Sequence, residues 1–406
     1  AAIVASMVRS PRETMLDPQY PFLRRRAAVG APRRRNVVIF IMESWVTEQM
    51  GCYGAGTSCT PSFDSLARSG LLCTNFLANA QRSIEAAPAV LASIPGLSNN
   101  TQIGSTTETA RLLGLGTILA RRGYATAFYH GAKTGSMGFD AFARMAGFAR
   151  YFGKEDYPGL SARVQDGVWG LYDEPAFLDA CARADKMAQP FCLAIYSLNP
   201  HVPFAIPADR NALIPRLPGE SEYQRALRYS DFALGRFFAA ARATAWYDST
   251  VFVIVGDHTT SPSQHDFRSI FLVPCLVLAP GLVQPGRTSR IASQVDLLPT
   301  VLDLLDLPAT HAATGRSLLD TARSRCAVEW YGGRFALFTD SLLLLSAFDG
   351  NPGLYDYRRD HLLKSPLQQR DRPLADSMEQ RVEAYLQSVS RALRNDRLCR
   401  SVDLRP

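Results

Sequence analysis

Two uninterrupted apolar runs, each ending on a candidate ligand, restrict the folds open to this chain. The first is Val37-Val-Ile-Phe-Ile-Met42, followed by Glu43. The second is Val251-Phe-Val-Ile-Val255, followed by Gly256-Asp257-His258. A strand with one wet face alternates polar and apolar residues. An unbroken run reads as a strand covered on both faces, as in a parallel sheet. In open α/β sheets, ligands bind beyond the carboxyl ends of the strands. Both runs, about 200 residues apart, deliver polar groups at that end. Two carboxylates and an imidazole form a donor set for a divalent cation. The plainer reading, that each acid merely ends a strand, fits Glu43 alone better than it fits Gly256-Asp257-His258.

The 406 residues suffice for one large domain and a smaller one. The hydrophobic share of 47% and charged share of 20% are those of an ordinary folded protein. A net charge of +7 suits an anionic partner, either a phosphate substrate or an anionic membrane surface. No Lys/Arg-rich helix with interleaved aromatics supports nucleic-acid binding. No run of about 20 apolar residues occurs. Residues 1–32 are rich in Arg and Pro and read as a juxtamembrane-like linker or an arm lying over the body. The opening Ala1-Ala-Ile-Val-Ala-Ser-Met7 is compatible with the tail of a membrane segment that precedes it. The eight cysteines form no CxxC. Cys52 with Cys59 is a disulfide candidate, and Cys326 with Cys399 a weaker one.

Along the chain, strands and helices alternate up to about residue 322. Helices are expected at 61–69, from Ser83 onward, at 110–122, 174–187, 221–243 and 294–305. This pattern predicts an α/β fold with a central, mostly parallel sheet flanked by helices over 33–322. From 323 to 406 short strands at 327–331, 335–339 and 342–347 precede a helix at 374–394, which predicts a small α+β subdomain. Thr60 is the expected N-cap of the helix that begins with Pro61. Ser83 falls at another helix N-terminus, where backbone N–H groups and the dipole favour anions. A plain capping role is compatible with that position. Of six histidines, His130, His201 and His258 follow buried strands directly or within a few residues, while His265 sits in a polar loop. Any one of them is more often structural than functional; their convergence with Glu43, Asp257 and Ser83 points to a metal-assisted hydroxyl nucleophile acting on a phosphoryl or sulfuryl group.

The series Asn36 to Ser44, Gly51-Cys-Tyr-Gly54, Thr60-Pro-Ser-Phe-Asp-Ser-Leu-Ala67 and Gly70 to Phe76 resembles the start of a sulfatase-fold enzyme of the lipoteichoic acid synthase or phosphoglycerol transferase type, in the alkaline phosphatase superfamily. The resemblance continues through Phe128-Tyr-His130-Gly131, Met137-Gly-Phe-Asp140, Trp169 to Glu174, His201-Val-Pro-Phe204, Tyr229-Ser-Asp231, Gly256-Asp-His258 and Gln294 to Thr300. It ends near Leu354-Tyr-Asp-Tyr-Arg-Arg-Asp360.

The resemblance implies one divalent cation, Mn2+ by preference and otherwise Mg2+ or Zn2+, held by Glu43, Ser83, Asp257 and His258. Ser83 takes the nucleophile's place. His130, His201, Arg82 and Asp140 become substrate-binding candidates. The implied donor is a phospholipid head group, and the implied acceptor a glycan or lipid-linked hydroxyl, at the extracytoplasmic side of the cell envelope. Two departures bear on substrate. Formylglycine sulfatases place Pro two residues and Arg four residues after the modified residue, whereas Ser83 is followed by Ile84-Glu-Ala-Ala87. The Trp-x-Arg group that grips glycerol phosphate in lipoteichoic acid synthases is replaced by Met137-Gly138-Phe139. A phosphodiesterase or sulfatase hydrolysing a soluble ester is the alternative expectation, and a non-catalytic binding protein is a more distant one.

Overall fold

The computed structural model describes residues 1–97, 102–105, 108–260, 266–367 and 371–399; His265 lies outside them. An eight-stranded sheet forms the centre. Its strands, in spatial order, are Gly286–Thr288, Leu71–Cys73, Cys275–Leu278, Thr250–Gly256, Asn36–Met42, Phe191–Tyr196, Ala125–His130 and Arg150–Phe152. Asn36–Met42 lies parallel to Thr250–Gly256 on one side and to Phe191–Tyr196 on the other. The two diagnostic runs are therefore neighbours, in register from Asn36 opposite Thr250 to Met42 opposite Gly256. Cys275–Leu278 runs antiparallel to Thr250–Gly256. Its connection stays at the carboxyl end of the sheet, so the chain must run back down.

Alternation within the first run shows why it has to be apolar throughout. Val37, Ile39 and Ile41 enter one core with Ala87 and Val90 of the helix Ser83–Ala92. Val38, Phe40 and Met42 enter the opposite core with Phe177 and Phe237. Those two phenylalanines belong to the helices Asp173–Ala184 and Glu222–Ala241. Helices on both faces leave the strand no wet side. The long helix Glu222–Ala241 starts with a capping box in which Ser221 and Gln224 bond each other's backbone. Thr60 does not cap Pro61–Ala67 with its side chain. Asp231 does so from the neighbouring helix, accepting from the N–H groups of Ser62 and Phe63 at 2.8 Å each.

Residues 1–32 carry structure of their own. The helix Ala2–Val8 packs Val4, Met7 and Val8 against Met378 and Val382 of the helix Arg372–Arg394. Glu13–Met15 and Arg24–Arg26 join Ala309–His311 in a three-stranded sheet. Arg24 and Arg26 of this basic stretch are buried, paired with Glu13 and with Asp303 and Asp306. Part of the positive charge is thus neutralised inside the fold. The C-terminal unit is a four-stranded antiparallel sheet with Arg372–Arg394 against it.

None of the eight cysteines forms a disulfide, which corrects both disulfide expectations. Cys59 Sγ instead lies 3.7 Å from Gln49 Oε1. Cys326 and Cys399 belong to different packed clusters. No helix among the described residues is long and apolar enough to cross a membrane.

Candidate active site

Two strand-to-loop transitions and one helix start converge at the carboxyl edge of the sheet. Glu43 follows Asn36–Met42, Asp257 and His258 follow Thr250–Gly256, and Ser83 opens the helix Ser83–Ala92. Each of Glu43, Asp257 and His258 offers a ligand atom within 4.8 Å of the others. Ser83 Oγ lies 3.0 Å from Glu43 Oε2 and 3.2 Å from His258 Nε2. Arg82, in extended conformation, takes the N-cap position, and Ser83 is the first helical residue. The Ser83 hydroxyl is consequently engaged with the acid and the imidazole.

The backbone holds this cluster rigidly. Ser44 adopts a left-handed φ of 54°, and its N–H donates to Asp257 Oδ1 at 2.7 Å. The His258 N–H donates to the same oxygen at 2.6 Å. The other carboxylate oxygen, Oδ2, is left 3.3 Å from His258 Nε2. His258 Nδ1 is directed at the Thr259 carbonyl, 3.1 Å away. That contact assigns the ring proton to Nδ1 and leaves the Nε2 lone pair toward Ser83 and the acids. Gln294 Nε2 donates to the carbonyls of Gly256 and Asp257, while its Oε1 accepts from the Asn79 N–H. It ties the segment before the nucleophile to the segment carrying the ligands.

The cluster is short of positive charge. Burial, and then the Asp257 carboxylate, pushes Glu43 up to about 7. Burial opposes charge on the His258 ring, but Asp257 and Glu43 outweigh it and hold the imidazole above its usual range. Two carboxylates, an imidazole and a hydroxyl at this spacing fit a divalent cation. A pH dependence follows for the cation-free protein. Glu43 has a folded value raised from 4.5 to about 7, so its contribution to stability is full below 4.5 and is lost as pH rises through 7. Metal-free melts between pH 5 and 8 should fall with pH, less steeply in Glu43→Gln. A slope unchanged by Glu43→Gln would refute this assignment.

A cavity of about 450 Å³ opens onto Glu43, Ser83 and His258. Arg82 and His201 stand at its wall, with Ile84, Met137, Val202 and Phe204 as apolar lining. Arg82 donates to Glu85 Oε1 at 2.9 Å, and Glu85 also accepts from the Gln81 N–H. His201 is held by Nδ1 against the Val202 carbonyl at 2.8 Å and by the Trp169 ring at 4.5 Å. Its loop is anchored from below, where Asp173 accepts the N–H groups of Leu198 and Asn199 and the Ser230 hydroxyl. Sequence reasoning misses Asp173, Ser230 and Gln294, and also Ser197, whose hydroxyl accepts the Glu43 N–H at 2.7 Å. The signal available for Asp173, Ser230 and Gln294 was their place inside the quoted motifs.

Two of the expected substrate contacts lie elsewhere. His130 is fully buried, edge-on to Phe139 and Tyr196, and burial holds it down at about 4. Asp140 bonds Arg144 one helical turn on, at 2.7 Å. Neither lines the cavity. His130 packs instead into the aromatic cluster of Phe139 and Tyr196, while Met137, at a left-handed φ of 53°, lines the cavity. A larger cavity, about 580 Å³, lies at the other end of the sheet beside Arg33 and Leu282 and holds no comparable ligand cluster among the described residues.

This architecture is the α/β fold of the alkaline phosphatase superfamily. A Vibrio parahaemolyticus protein of that superfamily superposes with a TM-score of 0.85 at 24% identity, over 98% of this chain and 96% of its own. A lipoteichoic acid synthase from Listeria monocytogenes gives 0.77 at 19% identity, over 95% and 97%. Residues 35–307 match the Sulfatase family model, and the chain belongs to that family. Among its relatives, lipoteichoic acid synthase 1 of Bacillus subtilis is 25% identical over 45% of this chain and 31% of its own length. Phosphoglycerol transferase I of Escherichia coli is 26% identical over 36% of this chain and 20% of its own. The matches thus span about a third or less of these two relatives.

Proposed function

We propose that this protein is a cation-dependent transferase that moves a phosphoglycerol or phosphoethanolamine group from a phospholipid to an acceptor hydroxyl, with Ser83 as nucleophile. The observation that carries this reading is the Ser83 hydroxyl, 3.0 Å from Glu43 and 3.2 Å from His258, at the floor of a cavity with apolar walls. Glu43, Asp257, His258 and Ser83 would hold the cation. When bound, it acts as a Lewis acid that lowers the hydroxyl's pKa and offsets charge on a phosphoryl oxygen.

The chain's own groups supply the rest. Ser83 Oγ attacks phosphorus and its proton passes to the Glu43 carboxylate, 3.0 Å away, or to solvent. The bond from phosphorus to the diacylglycerol oxygen breaks, and that oxygen takes a proton from solvent or from His201. The backbone N–H groups at the start of the Ser83 helix face the phosphoryl oxygens. Arg82, fixed by Glu85, adds positive charge at the rim. Ile84, Met137, Val202 and Phe204 shelter the glyceride portion. An acceptor hydroxyl then attacks the serine ester and releases Ser83. The names of the synthase and transferase relatives support this class, and such a donor would place the catalytic face at a membrane surface of the cell envelope. The cation assignment is for Mn2+ first.

The test is intact-mass analysis of the protein after incubation with phosphatidylglycerol or phosphatidylethanolamine, with Mn2+ and with chelator. A cation-dependent adduct of glycerophosphate or phosphoethanolamine mass on Ser83 is expected. Cation binding with no adduct from either lipid would redirect the assignment to hydrolysis of another ester.

A further inference from the structure

Beside the cation site lies a polar group that no motif singled out. Tyr196 ends the strand Phe191–Tyr196 and is 2% exposed. Its hydroxyl lies 2.8 Å from Asp257 Oδ2 and 3.2 Å from the carbonyl oxygen of Ser83. A phenol carries one proton. The charged and nearer acceptor takes it, so Tyr196 donates to Asp257. The Ser83 carbonyl stands close on its other side. One oxygen atom therefore sits between the segment bearing the nucleophile and the segment bearing two ligands.

The division of labour at Asp257 gives that contact its weight. Oδ1 is occupied by the Ser44 and His258 N–H groups. Oδ2 is the oxygen nearest His258 Nε2, and it is the one that Tyr196 touches. The ring is fixed in turn. Phe139 stacks on it at 5.0 Å and 25°, and His130 meets it edge-on at 5.5 Å. Buried His130 and Phe139 thus acquire a role at one remove, as the clamp on a tyrosine whose hydroxyl reaches the site.

We infer that Tyr196 is a positioning residue whose hydroxyl fixes Asp257 Oδ2 relative to the first turn of the Ser83 helix, and so sets cation affinity and nucleophile alignment. The inference rests on the cation-dependent Ser83 reading above. A group that orients a metal ligand in this way typically contributes about 10- to 100-fold in affinity.

Tyr196→Phe removes one oxygen and keeps the ring contacts. Tyr129→Phe is the control: Tyr129 is buried on the adjoining strand, on the opposite face of the sheet, and donates to Asp179 at 2.8 Å. Phe139→Leu loosens the clamp and leaves the hydroxyl. Mn2+ alone is titrated by calorimetry into each cation-free protein, and single-turnover formation of the Ser83 adduct is timed at saturating Mn2+. Tyr196→Phe is expected to weaken Mn2+ binding by about 10- to 100-fold and to slow the adduct at saturation. Phe139→Leu should show a smaller loss, and Tyr129→Phe none. Wild-type affinity and rate in Tyr196→Phe would overturn the inference, as would an equal loss in Tyr129→Phe. If the wild type itself binds no Mn2+, the cation reading fails first and takes the positioning role with it. If the wild type binds Mn2+ but forms no adduct, the transferase reading fails while the affinity comparison still decides the role of Tyr196.

Discussion

Ser83→Ala is expected to abolish the covalent adduct and to lower turnover of a phosphodiester head-group substrate by about 10³-fold or more, the scale on which removal of a nucleophile is felt. The substitution removes one oxygen from a helix start whose cap position is filled by Arg82. The fold loses no side-chain cap there, and the melting temperature should stay close to that of the wild type. Glu43 and His258 lose a neighbour that lies 3.0 and 3.2 Å away, so Mn2+ affinity should drop but remain measurable. The combination separates chemistry from binding. Turnover within tenfold of the wild type would show that another nucleophile, such as water, does the work.

Asp257→Asn is expected to remove the response to the cation altogether. In the wild type, Mn2+ at about 100 times its dissociation constant should add about 2.7 kcal/mol of stability through mass action. Asp257 is fully buried with one oxygen beside His258 Nε2, so its negative charge cannot be replaced by solvent. Losing a direct ligand should weaken binding by at least about 100-fold, the upper range for a group that merely supports one. Without the cation, the variant should suffer much less. Asp257 raises Glu43 toward neutrality, so removing its charge relieves a repulsion between the two acids. Thermal melts of wild type and variant, with chelator and with Mn2+, give four values. A cation-induced shift that survives in Asp257→Asn would refute the ligand set.

Legibility in the sequence followed the range of the interaction. The strand Asn36–Met42 was readable because a doubly covered strand leaves its signature in consecutive residues. The antiparallel course of Cys275–Leu278 was not readable, since direction depends on which end of the sheet the preceding loop occupies. The helix expected at 110–122 is only Leu115–Ala120. Gly114 and Gly116 approach the backbone of Ala146 and Gly147 too closely for any side chain, so packing rather than periodicity sets its start. The N-terminal stretch, expected as a linker or an arm lying over the body, hid its partners for a related reason. A row of arginines does not announce that Glu13, Asp303 and Asp306, from near and far in the chain, pair with two of them.

The same division runs through the site. Glu43, Asp257 and His258 could be picked from sequence because each directly follows the apolar run that delivers it. That adjacency is covalent and survives any arrangement of the sheet. Which of the histidines faces the cavity is a different kind of fact. His130 and His201 both follow buried strands, yet the first is enclosed by Phe139 and Tyr196, and a loop anchored by Asp173 presents the second. Tyr196 carried no local signal at all, being one more apolar-looking residue at the end of a buried strand. The sequence by itself determined that this chain forms a doubly covered sheet with acids and an imidazole at its carboxyl edge, because hydrophobic burial acts on neighbouring residues. Only the tertiary structure decided that Ser83, Glu43, Asp257 and Tyr196 share one hydrogen-bonded cluster, because strand order and helix placement are set by packing among segments far apart in the chain.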